Sequence, residues 1–363
     1  MPGSDLVPWL RARAAGTLFV ALILALTACA PIDEGDDGAE ASEDVTASAA
    51  AASEGAASAG ASAAASDGGS TGGGELTIAT GGTGGVYYPL GGGLAEVIRN
   101  NIDGYSGSVQ ETNASVDNML LIGDGGADIA FTLGDTAADA VNGEGDDFAE
   151  GPIDACALGR IYNNFTQIVT SADAGITSVE DLRDKRVSLG SPGSGTEVIA
   201  LRILEAAGID PDADIERQQL GVDETVAGLR DGTIDAGFWS GGLPTGALVD
   251  YATTGDMVLV PHAEYTQDLV DQYGEYYVED VIPADTYEGQ AEDVEVIAVP
   301  NVLVVNTNMD EQLQQDLTRV LFEQKDALVD VHPAAEALDP TDAQDIAFMD
   351  LCPGSQAYYD EAG

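Results

Sequence analysis

The sequence is short of basic residues. Its 363 residues include 12 lysines and arginines and 2 histidines against 64 aspartates and glutamates, which gives a formal net charge of −52. Such a chain repels nucleic acid and anionic lipid, so we expect neither as a partner. Acidic excess with only two lysines, Lys185 and Lys325, is typical of proteins in molar salt, where the Debye length falls to about 3 Å. We therefore hypothesise a hypersaline environment.

Cysteine and histidine are also scarce, which argues against a metal centre or an enzyme. Cys156 and Cys352 form no metal-ligand motif with Cys29, and they are either buried thiols or, in an oxidising compartment, a disulfide. His262 and His332 accompany no recognisable serine or cysteine nucleophile motif. We expect no catalytic residues, no metal and no cofactor.

Two stretches resemble known binding motifs but lack one or two of the residues that those motifs require. The segment from Gly190 to Thr196 has P-loop spacing, but Thr196 stands where the phosphate-binding lysine belongs. The acidic run that begins at Asp210 resembles the start of an EF-hand, but Ile215 replaces its glycine and Gly221 its bidentate glutamate. Nucleotide hydrolysis and calcium binding are therefore disfavoured.

Long apolar runs are absent except near the N-terminus. Arg11 and Arg13 precede the apolar run 17–26, which is too short to span a membrane, and 26–29 reads Leu-Thr-Ala-Cys. This stretch resembles a bacterial lipobox and predicts a lipoprotein signal peptide over 1–28, with Cys29 lipidated and the protein anchored outside the cytoplasmic membrane. An ordinary signal peptide is the alternative. Residues 29–74, rich in Ala, Ser, Gly and acids, are predicted to be a disordered linker.

The folded part begins with a strand that runs through glycines into a helix. Residues 78–80 end a β-strand, 81–85 form a glycine-rich turn, and Pro89 lies in the first turn of a helix whose apolar face includes Leu90 and Leu94. Unpaired backbone N–H groups at such a helix start can bind a carboxylate or phosphate.

A second copy of this arrangement follows about 107 residues later. Residues 190–197 form a glycine-rich turn in which Ser194 and Glu197 fit a capping box. In the first copy, Ser115 is expected to cap a helix, and the strand 126–132 follows that helix. This strand is similar in sequence to 232–240 in the second copy. The pattern predicts two α/β lobes, each with its turn at the carboxyl ends of the strands; chance similarity of generic α/β units is the alternative.

Two β-rich segments are predicted to connect the lobes. They are 165–171 and 294–305, the latter broken at Pro300, and one long helix near the C-terminus follows. The predicted lobes are 75–171 with 299–363, and 172–298. Two crossings would act as a hinge, so that the facing turns close as a clamp.

Three segments carry a family resemblance. The residues 79–89 (ATGGTGGVYYP), 190–197 (GSPGSGTE) and 353–359 (PGSQAYY) resemble the TAXI family, the TRAP-associated extracytoplasmic immunogenic solute receptors. The resemblance implies a type II periplasmic-binding-protein fold, a TRAP permease in the membrane as partner, and glutamate, glutamine or a 2-oxoglutarate-like acid as ligand. Leu133 stands where some relatives carry glutamine, which puts glutamate itself in doubt and favours a more apolar acid.

The resemblance and the predicted strand ends together give the candidate ligand-binding residues. They are Thr83, Gly84, Gly85, Tyr87, Asn113, Ser115, Asp135, Tyr162, Ser191, Ser194, Gly195, Thr196, Trp239 and Ser240. Arg160 is a further possibility, with an intramolecular ion pair as its commoner role. We expect a monomeric solute receptor that captures a small organic anion. The alternatives are an ABC-type receptor of the same fold, a sensor or adhesin, and a cleft enzyme.

Overall fold

A computed structural model describes residues 73–362. The predicted signal peptide, the lipidation site Cys29 and almost all of the predicted linker lie outside the described residues. No helix among residues 73–362 is long and apolar enough to cross a membrane.

The described chain alternates strands and helices. The strands are β1 Gly74–Ala79, β2 Tyr105–Gln110, β3 Ile129–Leu133, β4 Ala155–Ser171, β5 Arg186–Ser188, β6 Glu216–Gln218, β7 Ala236–Gly241, β8 Met257–Val260, β9 Val278–Ile282 and β10 Val294–Asn306. The α-helices are α1 Tyr87–Asn101, α2 Ser115–Asp124, α3 Gly134–Asn142, α4 Gly195–Ala206, α5 Val222–Asp231, α6 Gly246–Ala252, α7 Thr266–Tyr273, α8 Glu311–Glu323, α9 Lys325–Val329 and α10 Pro353–Ala362.

The strands order as β2-β1-β3-β10-β4-β7-β5-β6, with β8 beside β4 and β9 beside β10. Within each lobe the first three strands are parallel. In the first lobe β1 pairs with β2 and β3, and in the second lobe β5 pairs with β6 and β7. Parallel strands place their carboxyl ends at one edge, where the glycine turns leave β1 and β5. The predicted two-lobed α/β fold is confirmed. The sheet is mixed, because β4 and β10 run antiparallel to their neighbours.

Two long strands connect the lobes. The N-terminal part of β4 pairs with β10, and its C-terminal part, from Phe165 on, pairs with β7 in the second lobe. Strand β10 pairs with β9 through 294–298 and with β3 through 301–305. The predicted break at Pro300 is wrong: β10 continues through it, and the β4–β10 register shifts between Pro300 and Val302 instead. The lobe boundaries stay a prediction.

Apolar residues at helical spacing fill the space between helices and sheet. The predicted face of α1 is buried, with Leu90, Leu94 and Ile98 packed in the first-lobe core. In the second lobe Ile199 and Ile203 of α4 pack in an equivalent core. A disulfide joins Cys156 of β4 to Cys352 before α10, which settles the pairing that the sequence left open.

Three local predictions are corrected. The single C-terminal helix is two, because the helix is interrupted at Gln324 between α8 and α9. Ser115 does not cap α2: the helix begins at Ser115 itself, and its hydroxyl accepts the Leu133 N–H at 3.1 Å. Ser194 caps α4 by accepting the Glu197 N–H at 3.1 Å, but the reciprocal half of the capping box is missing because the Glu197 carboxylate binds the Gly193 N–H.

Candidate ligand-binding site

Both glycine turns line one cavity of about 170 Å³ between the lobes. Residues Gly81, Gly82 and Gly85 contribute from the first turn, and Ser191 and Ser194 from the second. Ligand pockets for drug-sized molecules are typically about 300–1,000 Å³. This volume therefore favours a smaller molecule.

Most of the predicted site residues lie around this cavity. Those that line it are Gly85, Tyr87, Asn113, Ser115, Tyr162, Ser191, Ser194, Gly195, Thr196, Trp239 and Ser240. They come from both lobes and from the crossing strand β4, so the cavity is assembled only when the lobes meet.

Four helices begin at the cavity. The first residues of α1, α2, α4 and α5 are Tyr87, Ser115, Gly195 and Val222, and all four line it. The Ser194 hydroxyl accepts the N–H of Glu197. The N–H groups of Gly195 and Thr196 donate to no acceptor among residues 73–362. Free N–H groups at the positive ends of helix dipoles bind anions.

Two buried hydroxyl groups at the cavity have no partner in the described protein. Tyr162 is 4% exposed and Ser240 is 5% exposed, and neither hydroxyl makes a hydrogen bond within residues 73–362. Burial raises the pKa of Tyr162 well above its ordinary value, so this phenol stays protonated and can donate. Buried polar groups are normally hydrogen-bonded, so these two hydroxyls call for a partner inside the cavity.

The charged lining of the cavity is acidic. Glu111, Asp223 and Glu224 line it and are exposed at its edge. No lysine, arginine or histidine lines it among the described residues. An anionic group would therefore be held by N–H and hydroxyl donors, while the edge favours a positive charge.

The lobes make direct hydrogen bonds on two sides of the cavity. The Asp223 carboxylate of α5 accepts the Gly84 N–H at 3.1 Å, and the Ala247 N–H donates to the Gly84 carbonyl at 3.3 Å. The Asp117 N–H of α2 donates to the carbonyl of Gly193 at 3.2 Å. Each glycine turn is thus bound to a helix of the opposite lobe, which describes a closed arrangement.

Trp239 lies at the contact between the lobes. Its indole N–H donates to the Thr245 hydroxyl at 2.9 Å. Two of its ring carbons are 3.0 Å from the position that a Cβ on Gly85 would occupy. A methyl group at residue 85 would therefore press against the indole where it covers the first glycine turn.

Three predicted site residues do not line the cavity. The Thr83 side chain is exposed at the surface of the turn. Gly84 is engaged with Asp223 and Ala247 across the lobes. Neither is placed to contact a molecule in the cavity.

Asp135 is the third, and it belongs to a buried ionic cluster behind the site. It accepts hydrogen bonds from the Thr136 N–H at 2.7 Å and the Tyr277 hydroxyl at 3.0 Å, and Arg202 lies 3.8 Å away. Burial raises the pKa of Asp135, and the charge of Arg202 opposes that shift. Its carboxylate has its partners within the protein and does not line the cavity, and its contact with a ligand stays a prediction.

Sequence reasoning missed other residues at the cavity. Asn164 lines it from the middle of β4, and Asp223 and Glu224 line it from the start of α5. The pair Asn163-Asn164, two adjacent amides between Tyr162 and Phe165, is a sequence signal for Asn164. Arg160, considered as a ligand residue, lies elsewhere and donates to the Asn163 side chain at 2.7 Å. No cluster of three or more potential metal ligands occurs among residues 73–362.

Two α/β lobes, two crossing strands and a closed cavity between opposed glycine turns define a type II periplasmic-binding-protein architecture. The chain belongs to the NMT1-like family, which matches residues 78–363.

Solved structures with a similar chain path share little sequence. The aliphatic sulphonate binding protein SsuA from Escherichia coli is 16% identical over 79% of this chain and 82% of that chain, with a TM-score of 0.45. PhnD1 from Prochlorococcus marinus, in complex with methylphosphonate, is 10% identical over 72% and 90%, with a TM-score of 0.49. A histidine-bound ABC uptake transporter binding protein from Streptococcus pneumoniae is 13% identical over 73% and 95%, with a TM-score of 0.45.

Proposed function

We propose that this protein is an extracytoplasmic solute receptor that binds a small carboxylate-bearing metabolite between its lobes and does not transform it. The observation that carries the proposal is the pair of unpartnered hydroxyls, Tyr162 and Ser240, in a cavity at which four helices begin. A buried donor without a partner costs about 1–3 kcal/mol, which a bound acceptor would recover.

The carboxylate of the ligand is assigned to the start of α4. The N–H groups of Gly195 and Thr196 lie beside the Ser240 strand end, because the Thr196 hydroxyl accepts the Ser240 N–H at 3.1 Å. An oxyanion there would accept from two backbone donors and from the Ser240 hydroxyl.

The edge of the cavity selects the rest of the ligand. Glu111, Asp223 and Glu224 would repel a second carboxylate and attract an ammonium group, while Leu133 adds an apolar wall. Among the acids that the TAXI resemblance suggests, a zwitterion with a neutral side chain, such as glutamine, therefore fits better than 2-oxoglutarate.

The transport role follows from the fold and the resemblance. A lipid anchor at Cys29 would hold the receptor at the outer face of the membrane, and closure on ligand would present a shape that a TRAP permease of the TAXI type recognises. An ABC-type partner is the alternative, and a permease gene of either kind beside this one separates the two.

Fluorescence titration of Trp239 tests the proposal. The sequence has two tryptophans, so a full-length chain carrying Trp9→Phe reports from Trp239 alone. Added at high salt, L-glutamine should change the emission saturably, and L-glutamate and 2-oxoglutarate should bind more weakly. A folded protein that responds to none of these three would refute the proposed ligand class.

Leu120→Gln, on an exposed residue of α2 that does not line the cavity, is the control for nonspecific solute effects. It should respond as the Trp9→Phe chain does.

A further inference from the structure

We propose that Asn301, a buried asparagine that does not line the cavity, is a positioning residue that fixes the hydrogen-bonding groups of both walls of the site. This inference rests on the proposed function, since it concerns the same cavity. It is carried by a continuous series of hydrogen bonds that joins residues lining the cavity in the two lobes.

The series begins in the first lobe at α1. The Tyr87 hydroxyl donates to the side-chain oxygen of Asn301. The Asn301 amide nitrogen donates to the side-chain oxygen of Asn164 at 2.7 Å and to the Tyr162 carbonyl at 3.3 Å. Asn301 is fully buried, and both ends of its amide are therefore engaged.

The series ends in the second lobe at α4. The Asn164 amide donates to the Ser240 carbonyl at 3.2 Å. The Ser240 N–H donates in turn to the hydroxyl of Thr196, the second residue of α4. The two glycine-turn helices, one in each lobe, are thus joined through one asparagine on each crossing strand.

The backbone at Asn301 supports this role. Asn301 faces Leu133 in the β3–β10 pairing and lies between Pro300 and Val302, where the β4–β10 register shifts. Irregularities of this kind re-aim a side chain relative to a regular ladder. Here the shift coincides with Asn301, whose side chain bonds to Tyr87 and to β4.

The arrangement also determines which groups remain free for a ligand. The Tyr87 proton is committed to Asn301, so the Tyr87 oxygen can offer only acceptor capacity towards the cavity. The Tyr162 and Ser240 hydroxyls keep their protons free. With Asn301 in place, the cavity therefore presents a hydrogen-bond acceptor at Tyr87 and hydrogen-bond donors at Tyr162 and Ser240.

The first test needs no ligand. In the full-length chain labelled with 15N-asparagine, Tyr87→Phe should shift the side-chain amide resonances of Asn301 and also of Asn164, one hydrogen bond further away. The matched control is Tyr88→Phe, since Tyr88 is adjacent and exposed, and it should leave both resonances in place. Asn164 resonances that do not respond to Tyr87→Phe would overturn the proposal.

The second test measures binding of L-glutamine by calorimetry in the full-length chain. Asn301→Asp keeps the acceptor for Tyr87 but removes both amide donors, so Kd should rise at least about tenfold. Asn306→Asp is the control, because Asn306 lies on the same strand and donates to Ile122 away from the cavity. It should leave Kd within twofold.

If Asn301 positions the site, Asn301→Asp should weaken L-glutamine binding more than any loss of stability that it shares with Asn306→Asp can explain. Urea unfolding of both aspartate variants is therefore measured in parallel. If Asn301→Asp binds L-glutamine as tightly as Asn306→Asp, the positioning role is wrong. If the wild type binds no L-glutamine while Tyr87→Phe shifts the Asn164 resonances, the ligand assignment fails and the hydrogen-bonded series stands.

Discussion

At the scale of single residues, the site is defined by hydroxyl and N–H donors whose partners are missing rather than by charges. Tyr162 and Ser240 have no partner for their hydroxyls within residues 73–362, whereas the Ser240 carbonyl and N–H are bonded to Asn164 and Thr196. A buried group of this kind destabilises the empty protein and strengthens binding of an acceptor. The two effects have opposite signs, and they can be separated by mutation.

Removal of these hydroxyls should weaken binding without weakening the fold. Tyr162→Phe and Ser240→Ala should each raise the Kd for L-glutamine by about three- to tenfold, because one donor to the ligand is lost. Each should leave the free energy of unfolding unchanged or raise it by about 1 kcal/mol. Calorimetry and urea unfolding give the two quantities.

Thr166 provides the matched control for the hydroxyl variants. Its hydroxyl is also buried and unpartnered within residues 73–362, but it does not line the cavity. Thr166→Val should therefore stabilise the protein similarly and leave Kd unchanged. Equal effects of all three variants on binding would contradict the assignment of Tyr162 and Ser240 to the ligand.

At the scale of elements, the glycine turns carry two functions at once. They start α1 and α4 with free N–H groups, and they are also where each lobe touches the other. At Gly85 the first turn lies close to Trp239 of β7, whose ring carbons would be 3.0 Å from an added Cβ. Closure is therefore expected to be sensitive to a methyl group at this position.

Gly85→Ala should hinder closure. Its Cβ would lie 3.0 Å from two carbons of the Trp239 ring, so the closed form should lose roughly 1–3 kcal/mol, a typical cost of overpacking. The expected results are weaker L-glutamine binding and a red-shifted Trp239 emission. The control is Gly92→Ala in α1, where nothing lies within 4 Å and binding should be unchanged.

The elements also show how far the sequence can be interpreted. Strand-turn-helix units such as 74–101 follow from local periodicity, glycine and proline, and these were predicted closely. The continuity of β4 and β10 was not, because Asn163-Asn164 and Pro300 look like breaks until the partner strands are known. Ser115 was wrongly predicted to cap α2, because its hydrogen-bond partner, the Leu133 N–H, lies 18 residues further along the chain. The hydrogen bond between Asp135 and Tyr277, 142 residues apart, likewise leaves no local pattern.

At the scale of the whole molecule, a net charge of −52 must be reconciled with a compact fold. Only ten lysines and arginines fall within residues 73–362, and several of them already form ion pairs, such as Arg186 with Asp235 and Arg217 with Glu197. Most acidic side chains among residues 73–362 therefore have no basic neighbour in that range, and their mutual repulsion depends on the screening provided by salt.

Stability should accordingly rise with salt. Thermal unfolding followed by circular dichroism should show a higher Tm in 1 M than in 0.1 M KCl, since the Debye length falls from about 10 Å to about 3 Å in that range. Sucrose stabilises by exclusion from the protein surface and does not screen charges, so it should not reproduce the increase in Tm that KCl causes between 0.1 M and 1 M. A Tm independent of KCl would contradict the hypersaline hypothesis.

The proposed function requires a carboxylate held at the start of α4, and a crystal structure of the protein soaked with L-glutamine tests this most directly. We expect a carboxylate oxygen about 2.7–3.2 Å from the backbone nitrogens of Gly195 and Thr196, with the Ser240 hydroxyl donating to it and the ammonium group towards Asp223. L-Glutamine bound outside the cavity, or with its carboxylate turned away from α4, would refute this binding mode.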